Sequence, residues 1–210
     1  MTINKEQLRL ELRKELARRS YIDYVNYVNE GNWVTGKHLE LIAKEIEEVI
    51  DGNNDRLIIS MPPQHGKSMM ITETLPSYYL GKFPKKRVIV ASYGEDLAMR
   101  FGRRNKQKIQ EFGKELFDIE LSKSSSSDKE FEIETHKGSM ISRGIMSGIT
   151  GQPAELIIVD DPIKNRLEAN SETFRARLKE EWLNSLNTRL SAKGKVIIIQ
   201  TRWHRQICAV

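Results

Sequence analysis

Cysteine is almost absent from this chain, which has one, Cys208, in 210 residues. A single thiol excludes an internal disulfide framework and a metal site built from several cysteines, and it fits a reducing compartment. Long hydrophobic runs are absent as well, because runs such as 156–159 and 196–199 fall far short of the roughly 20 residues that span a bilayer. The amino-terminal sequence alternates charge with leucine and lacks the apolar core of a secretion signal. We therefore expect no membrane segment and no export.

Positively charged residues exceed negatively charged residues only modestly. The formal net charge is +5, the isoelectric point is about 9.2, and 39% of the residues are hydrophobic and 30% charged, as in ordinary globular proteins. This balance permits contact with phosphates or an acidic partner, but it does not by itself indicate nucleic acid. The length predicts one domain with room for an appendage.

The first 55 residues have the pattern of helices. Helical periodicity covers 4–19, 20–30 and 36–50, and Leu8, Leu12 and Leu16 stand four residues apart on one side of the first helix. The simplest interpretation is that these helices pack on a core through their apolar sides. The sequence therefore predicts a helical amino-terminal arm over residues 1–55.

From residue 56 the chain alternates β-rich and helical segments. Strands are expected at 57–61, 87–91, 156–160 and 195–201, a hairpin at 131–135 and 139–142, and helices from 66, at 95–112 and at 171–190. Such alternation is typical of an α/β fold with a mainly parallel central sheet flanked by helices. The polar stretch at 121–128 is expected to be a mobile loop. We predict one α/β core over 56–210.

The segment MPPQHGKSM follows the first apolar strand and has the pattern of a phosphate-binding loop. Gly66 permits a turn that points backbone amides at phosphate oxygens, Lys67 reaches the β- and γ-phosphates of ATP, and the hydroxyl of Ser68 completes the coordination of Mg²⁺. The loop departs from the usual pattern because Met61 stands at the first glycine position. The predicted nucleotide-binding residues are Pro63, Gln64, His65, Gly66, Lys67, Ser68 and Met69.

Two carboxylates end the apolar strand at 156–160. Asp160 is predicted to hold Mg²⁺ opposite Ser68, and Asp161 to orient or deprotonate the water that attacks the γ-phosphate. ATPases with this second carboxylate generally have glutamate, so Asp161 is one methylene shorter. Taken alone, each motif is also explained by an ordinary strand that ends in a turn, whereas both in this order predict an ATPase fold.

A third buried strand ends in polar residues, and Thr201 at its tip is a candidate for sensing the γ-phosphate. Arg202 and His204 are candidates for contact with nucleotide or DNA. The charge that develops on a transferred phosphoryl group is commonly stabilised by an arginine, for which Arg143 and Arg202 are the candidates. Arg143 precedes a glycine-rich connection, and its action in a neighbouring subunit's site is one hypothesis.

These motifs together resemble the large subunit of the terminases that package DNA into tailed bacteriophages. The resemblance rests on MPPQHGKS after an apolar strand, ASYGEDLAMRFGR, SGITGQPAELIIVDDPIK and TRWH, in that order, and it covers nearly the whole chain. It implies a P-loop NTPase domain of the additional-strand, conserved-carboxylate (ASCE) class.

The resemblance also implies a cellular role. It predicts a Mg²⁺-dependent ATPase motor that moves double-stranded DNA, with the portal protein and the small terminase subunit as partners. The motor is expected to form a homo-oligomeric ring on the procapsid, to be monomeric when isolated, and to work in the cytoplasm of the infected bacterial host. A nuclease domain would follow the motor, and the sequence ends before one, so no DNA cleavage is expected from this chain.

The family's site residues carry over by position. The resemblance assigns Lys67 and Ser68 to the phosphate loop, Asp160 to the metal, and Asp161 to the catalytic carboxylate position. Thr201 becomes the coupling residue. Several terminases have an arginine before the glycine at position 151, where this chain has Thr150, so Arg143 is the substitute candidate. Trp33 and His38 are weak candidates for contact with the base.

Other functions fit parts of the same pattern. A helicase-like ATPase of another family is one alternative, and a module that binds nucleotide only to lock subunits together is another. The helix at 95–112 carries a row of cations that either tracks a DNA backbone or forms a solvated surface. These cations are Arg100, Arg103, Arg104, Lys106 and Lys108.

Overall fold

The computed structural model describes residues 4–149, 151 and 153–201. Its helices are α1 (Lys5–Arg19), α2 (Tyr21–Val28), α3 (Lys37–Asp51), α4 (Lys67–Met70), α5 (Leu75–Lys82), α6 (Glu95–Lys108), α7 (Lys114–Phe117), α8 (Arg166–Asn170) and α9 (Glu172–Glu181). Its strands are β1 (Arg56–Ser60), β2 (Arg87–Ser92), β3 (Leu121–Ser126), β4 (Glu130–Ile133), β5 (Ser139–Gly144), β6 (Ala154–Asp160) and β7 (Leu190–Gln200). In these ranges, no helix combines the length and the apolar character needed to cross a membrane.

The strands form one sheet in the order β1-β7-β6-β2-β5-β4-β3. The first five in this order run parallel, and β4 and β3 are each antiparallel to their neighbour. This sheet confirms the predicted α/β class, and β7 is the additional strand between β1 and β6. Ser60 pairs with Gln200, and Asp160 pairs with Ile199. Since parallel strands end at the same edge, the residues after β1, β6 and β7 meet there.

Both faces of the sheet are covered, because side chains along each central strand alternate between two apolar clusters. In β2, Val88 and Val90 belong to the cluster that includes α4, α5 and α6, whereas Ile89 and Ala91 belong to the cluster that includes α9. β2 and β6 are therefore nearly continuous apolar runs, as the sequence indicated for buried parallel strands.

The amino-terminal helices pack on the segment that follows the phosphate loop. The hydroxyl of Tyr21 donates to the carbonyl of Met70, and that of Tyr24 donates to Ser77 Oγ at 2.8 Å. Both rings lie against Tyr78, with centroids 5.3 and 5.0 Å away. These buried contacts fix the segment that follows the loop, from the end of α4 into α5.

Helix α1 packs on the protein through the side opposite to the one that the sequence predicted. Leu8, Leu12 and Leu16 are exposed, and Ala17 is the buried residue of α1. The polar side makes the contacts, since Arg18 Nε donates to the Leu116 carbonyl at 2.8 Å. The prediction that the leucine row packs on the core is therefore wrong, because the adjacent α7 offers carbonyls and carboxylates to the basic side.

Several predicted boundaries are also wrong. The segment at 121–128 is not a loop up to residue 126, because its backbone forms the edge strand β3 on β4, where polar side chains face solvent at no cost. The helix predicted from residue 66 breaks after Met70 and resumes at Leu75. The helix predicted at 171–190 leaves the α-helical pattern after Glu181, and β7 begins at Leu190 because its first residue pairs with Ala154. The hairpin of β4 and β5 is confirmed.

The position of α6 on the sheet depends on Gly102. A Cβ added there would lie 1.9 Å from the Asp128 carbonyl oxygen and 3.0 Å from Ser142 Oγ. We expect Gly102→Ala to lower the free energy of unfolding by roughly 1–3 kcal/mol, because the backbone has to move apart. Urea unfolding of both chains measures the difference.

Gly94→Ala is the matched control, since a Cβ there meets nothing within 4 Å and its φ is −139°. It should change stability by less than about 1 kcal/mol. Equal midpoints for the two variants would contradict the packing described for α6.

Candidate active site

The loop between β1 and α4 presents unpaired backbone amides. Gln64 and Gly66 have left-handed backbone conformations, with φ of 64° and 83°. Among the described residues, the amides of 64 to 69 donate no hydrogen bond. Trp33 covers the loop, because its ring atoms would lie 3.2 Å from a Cβ at position 66. Successive free amides in a tight turn are suited to bind an anion such as a phosphate group.

Lys67 points from this loop to the ends of two other strands. Its side chain is only 5% exposed, and Nζ lies 2.8 and 2.6 Å from the two carboxylate oxygens of Asp161. Nζ also donates to Thr201 Oγ1 at 2.7 Å, and the Thr201 amide donates to Asp161 Oδ1 at 2.6 Å. Lys67, Asp161 and Thr201 therefore form one connected polar group.

Asp160 is buried beside this group, at 1% exposure. Ser68 Oγ donates to its Oδ1 at 3.3 Å, and Thr72 Oγ1 donates to its Oδ2 at 2.6 Å. Burial raises the pKa of Asp160 to about 6, and the nearby Asp161 adds to this rise, while the two hydroxyls and Lys67 oppose it. The carboxylate is thus held ready for a cation but carries an unfavourable charge without one.

The backbone explains why two consecutive carboxylates face the same loop. Side chains of neighbouring strand residues point to opposite faces, so Asp160 and Asp161 would normally diverge. Asp161 instead has a φ of 42°, in the left-handed region that Asp and Asn tolerate better than most residues. Its side chain consequently turns back to Lys67, while its amide donates to the Ile199 carbonyl at 2.8 Å.

The residues fit a Mg²⁺ ion bound together with phosphates. Ser68 and Asp160 offer hard oxygen ligands 3.3 Å apart. Within the described part of the chain, no cluster of three or more His, Cys, Asp or Glu residues is arranged to hold a metal by itself. Mg²⁺ typically binds through one or two protein oxygens, substrate phosphates and water, which matches this pair.

A match to a known protein family identifies the family of this chain. Residues 58–208 match the family model described as terminase large subunit, T4likevirus-type, N-terminal. The chain belongs to this terminase family. The match spans the phosphate loop, both carboxylates and Thr201, and it confirms the resemblance drawn from the sequence. No match was found among curated proteins.

One solved terminase structure has a similar fold, and two further structures match at lower similarity. The large terminase of bacteriophage HK97 matches with a TM-score of 0.56 and 14% identity, covering 87% of this chain and 37% of that one. The large terminase of the thermophilic bacteriophage D6E, in complex with ATP-γ-S, matches with a TM-score of 0.49 and 10% identity over 80% of this chain and 40% of that one. The amino-terminal domain of the bacteriophage phi29 DNA packaging ATPase gives 0.44 and 15% over 74% and 76%. The chain thus spans less than half of the first two proteins.

The terminase fold brings most of the predicted site residues together. Lys67, Asp161 and Thr201 are in direct contact, Ser68 contacts the adjacent Asp160, and Pro63, Gln64 and His65 are exposed in the loop. Their catalytic roles stay predictions. The candidates Arg202 and His204 lie outside the described residues, as does Thr150, which stands where several terminases have an arginine.

Arg143 is not near the site of its own chain. It pairs with Ala91 of β2, which pairs with Val159 of β6, so two strand spacings separate it from the carboxylates. It also emerges on the other face of the sheet, since Ala91 and Val159 both face the cluster around α9. Its Nη1 lies 4.0 Å from Glu95 Oε1. In this structure Arg143 therefore does not belong to the site formed by Lys67, Asp160 and Asp161 of its own chain.

Three residues around the loop complete the site. Trp33 Nε1 donates to Thr35 Oγ1 at 2.9 Å, and His38 Nε2 lies 3.3 Å from the His65 carbonyl oxygen, so both weak candidates for the base contact the loop region. The sequence analysis missed Thr72. The available signal was its spacing of four from Ser68, which places two hydroxyls on the same side of a helical turn.

The buried charge of Asp160 predicts a pH-dependent stability. The folded pKa of about 6 lies above the ordinary 3.8, so the folded state binds more protons between these values and the free energy of unfolding falls as pH rises through this window. We expect Asp160→Asn to raise the free energy of unfolding by roughly 1–3 kcal/mol at pH 7.5 without Mg²⁺, and by little at pH 4. Urea unfolding in EDTA at several pH values measures this.

Asp161→Asn is the matched comparison, because it removes the partner of the buried Lys67 ammonium. It should lower stability at pH 7.5, the opposite sign. A loss of stability in Asp160→Asn at neutral pH would contradict the unfavourable charge inferred for Asp160.

Proposed function

We propose that this chain is the ATPase motor domain of a phage terminase large subunit, which hydrolyses ATP with Mg²⁺ to move double-stranded DNA into a procapsid. The proposal rests on the convergence of Lys67, Asp161 and Thr201, which follow three separate strands and contact one another within 2.8 Å. A lysine on a loop of free amides, a buried carboxylate beside a serine hydroxyl and a second carboxylate are the parts that phosphoryl transfer needs.

Binding of the nucleotide would use the loop. The amides of 64 to 69 hold phosphate oxygens, Lys67 neutralises the β- and γ-phosphates, and Ser68 and Asp160 hold Mg²⁺. The bound ion supplies charge neutralisation on the transferred group. The raised pKa of Asp160 is consistent with this role, because a cation compensates the buried charge that the apoprotein bears alone.

Hydrolysis requires that Asp161 change partners. In this structure its carboxylate is engaged by Lys67 and by the Thr201 amide. Phosphate oxygens offer the Lys67 ammonium other acceptors, and this exchange frees one carboxylate oxygen to orient the attacking water. Thr201, bonded to both residues, registers the exchange and passes it to β7. The left-handed turn at Asp161 offsets the short reach of aspartate by aiming the carboxylate into the site.

Contact with DNA and with viral partners is the broader part of the proposal. We infer that the chain works as a homo-oligomeric ring with the portal protein and the small terminase subunit, in the cytoplasm of the infected host. Three of the five cations on α6 are engaged or buried. Arg103 and Lys106 pair with Asp128 at 2.7 and 2.9 Å, and Lys108 is buried. Arg100 and Arg104 remain exposed for a DNA backbone.

A second candidate function follows from the engaged carboxylate. If Asp161 stays bound to Lys67 when nucleotide is present, the chain binds ATP without hydrolysing it and nucleotide serves to lock subunits together. The contacts of 2.6 and 2.8 Å between these side chains favour this candidate. Binding without turnover, with DNA and partners added, would distinguish it from the motor.

Steady-state ATP hydrolysis measured against protein concentration tests the motor. We expect the rate per subunit to rise with concentration, because a ring completes the site, and to fall by at least about 100-fold in Lys67→Ala. Lys44→Ala, which removes an exposed lysine far along the chain from the loop, is the control and should keep the rate. Full activity in a folded Lys67→Ala chain would exclude the proposed site.

Mixing two inactive variants tests whether Arg143 acts in a neighbouring subunit. We expect Arg143→Ala and Lys67→Ala each to be nearly inactive and their mixture to regain a measurable fraction of wild-type ATPase activity. The physical reason is that one subunit of a mixed ring has an intact loop and its neighbour has an intact arginine. Steady-state hydrolysis at a fixed total concentration is the measurement.

The control mixes Lys67→Ala with Asp160→Asn, which both damage the same subunit's site. A subunit of either kind lacks one of these groups whatever its neighbour, so no activity should return. Equal recovery in both mixtures, or full activity of Arg143→Ala alone, would contradict the role of Arg143.

A further inference from the structure

Thr72 is buried against the carboxylate that is assigned to the metal. Its side chain is 0% exposed, and its Oγ1 donates to Asp160 Oδ2 at 2.6 Å. Asp160 Oδ1 instead accepts from Ser68 Oγ at 3.3 Å. The two carboxylate oxygens thus have different partners, and the shorter bond is made by the residue that the phosphate-loop pattern does not include.

The position of Thr72 is set by a break in the helix. After Met70 the chain forms a turn over 71–74 before α5 begins. Asn105 of α6 connects the two sides of this break, because its Nδ2 donates to the Thr72 carbonyl at 2.8 Å and its Oδ1 accepts from the Ser77 amide at 3.0 Å. Asn105 is itself 0% exposed and also donates to the Phe101 carbonyl at 2.9 Å.

A fully bonded amide at this place replaces hydrogen bonds that the helix break removes. Buried backbone groups without a partner are costly, so a side chain that serves the Thr72 carbonyl and the Ser77 amide stabilises the break. Because Thr72 and Asn105 are closed to solvent, water does not compete for the Thr72 hydroxyl or for Oδ2 of Asp160. The result is a rigid chain of bonds from α6 to Asp160.

We propose that Thr72, held by Asn105, is a positioning residue for the Mg²⁺ carboxylate. Donation to Oδ2 fixes the rotation of the Asp160 side chain, so that Oδ1 stays directed to Ser68 and to the ion. The inference deepens the proposed function and rests on it, since it concerns the same Mg²⁺–nucleotide site. It assigns to α6 a direct mechanical connection with the metal carboxylate that does not pass through the nucleotide.

Mg²⁺ titration of nucleotide binding tests this role. Binding of a fluorescent, non-hydrolysable ATP analogue to the purified chain is measured in EDTA and then at increasing Mg²⁺ concentrations. The quantity recorded is the Mg²⁺ concentration at which half of the Mg²⁺-dependent increase in binding is reached. We expect Thr72→Val to raise this concentration about 10-fold or more, as for other groups that orient metal ligands. Binding in EDTA should stay within about twofold of wild type, and Thr72→Ser should restore the Mg²⁺ response to within about threefold.

Thr74→Val is the matched control. Thr74 lies in the same turn, is also 0% exposed, and donates its hydroxyl to the Met69 carbonyl at 2.7 Å and not to Asp160. It should lose stability but keep the Mg²⁺ response. Thr72→Ala, which leaves a small cavity and no overpacking, gives the same measurement should Thr72→Val fail to fold.

The possible outcomes distinguish the role of Thr72 from the proposed ATPase function. An unchanged Mg²⁺ response in Thr72→Val or Thr72→Ala, or an equal shift in Thr74→Val, would overturn the role of Thr72 while leaving the ATPase assignment in place. Absence of any Mg²⁺-dependent binding by the wild-type chain would overturn the proposed function and this inference with it.

Discussion

The contact of the Lys67 ammonium with Asp161 and Thr201 is the interaction on which the rest of the structure depends. It joins the loop after β1 to the ends of β6 and β7, at distances of 2.6 to 2.8 Å. The sheet order serves this contact, because β7 lies between β1 and β6 and brings Thr201 between the loop and the carboxylates. The amino-terminal helices serve it too, since Tyr21 holds the carbonyl of Met70 at the end of α4. Movement of any of these elements would separate the ammonium from its partners.

The buried charges that organise this site also lower the stability of the fold. Lys67, which pairs with Asp161, is almost completely buried, and a buried ion pair stabilises a fold weakly because desolvation offsets the attraction. Asp160 accepts hydrogen bonds from the hydroxyls of Ser68 and Thr72, and burial raises its pKa to about 6. Such a site is less stable than an apolar core would be, and a bound cation with phosphates supplies the missing compensation. Binding of Mg²⁺ with nucleotide would thereby stabilise the fold by mass action.

Sequence patterns predicted the parts of the site that a linear spacing defines. The loop, the two carboxylates and the third strand could be found because each follows an apolar run of the right length. Backbone geometry was not predictable, since a normal strand would direct Asp160 and Asp161 to opposite faces and the turn at Asp161 depends on tertiary contacts. The exposed leucines of α1 and the strand β3 were missed for a related reason. Periodicity shows that a helix has an apolar side, but which side docks depends on the partner, and serine-rich backbone pairs as readily as any other at a sheet edge.

Two separate hydrogen-bonded connections leave the site, and in the proposed mechanism they respond to different parts of the ligand. The first runs through Thr201 and depends on which acceptor the Lys67 ammonium has, so it responds to the γ-phosphate. The second runs through Thr72 and Asn105 to α6 and depends on the orientation of Asp160, so it responds to the metal. A ligand can shift a conformational equilibrium only through contacts that differ between the two states. In the proposed mechanism Lys67 exchanges its partner on phosphate binding whereas Thr72 keeps its bond to Asp160, so the first connection would suit a step that changes at each hydrolysis. The second connection would then be a support that stays constant through the proposed cycle, joining the metal carboxylate to α6 with its exposed arginines.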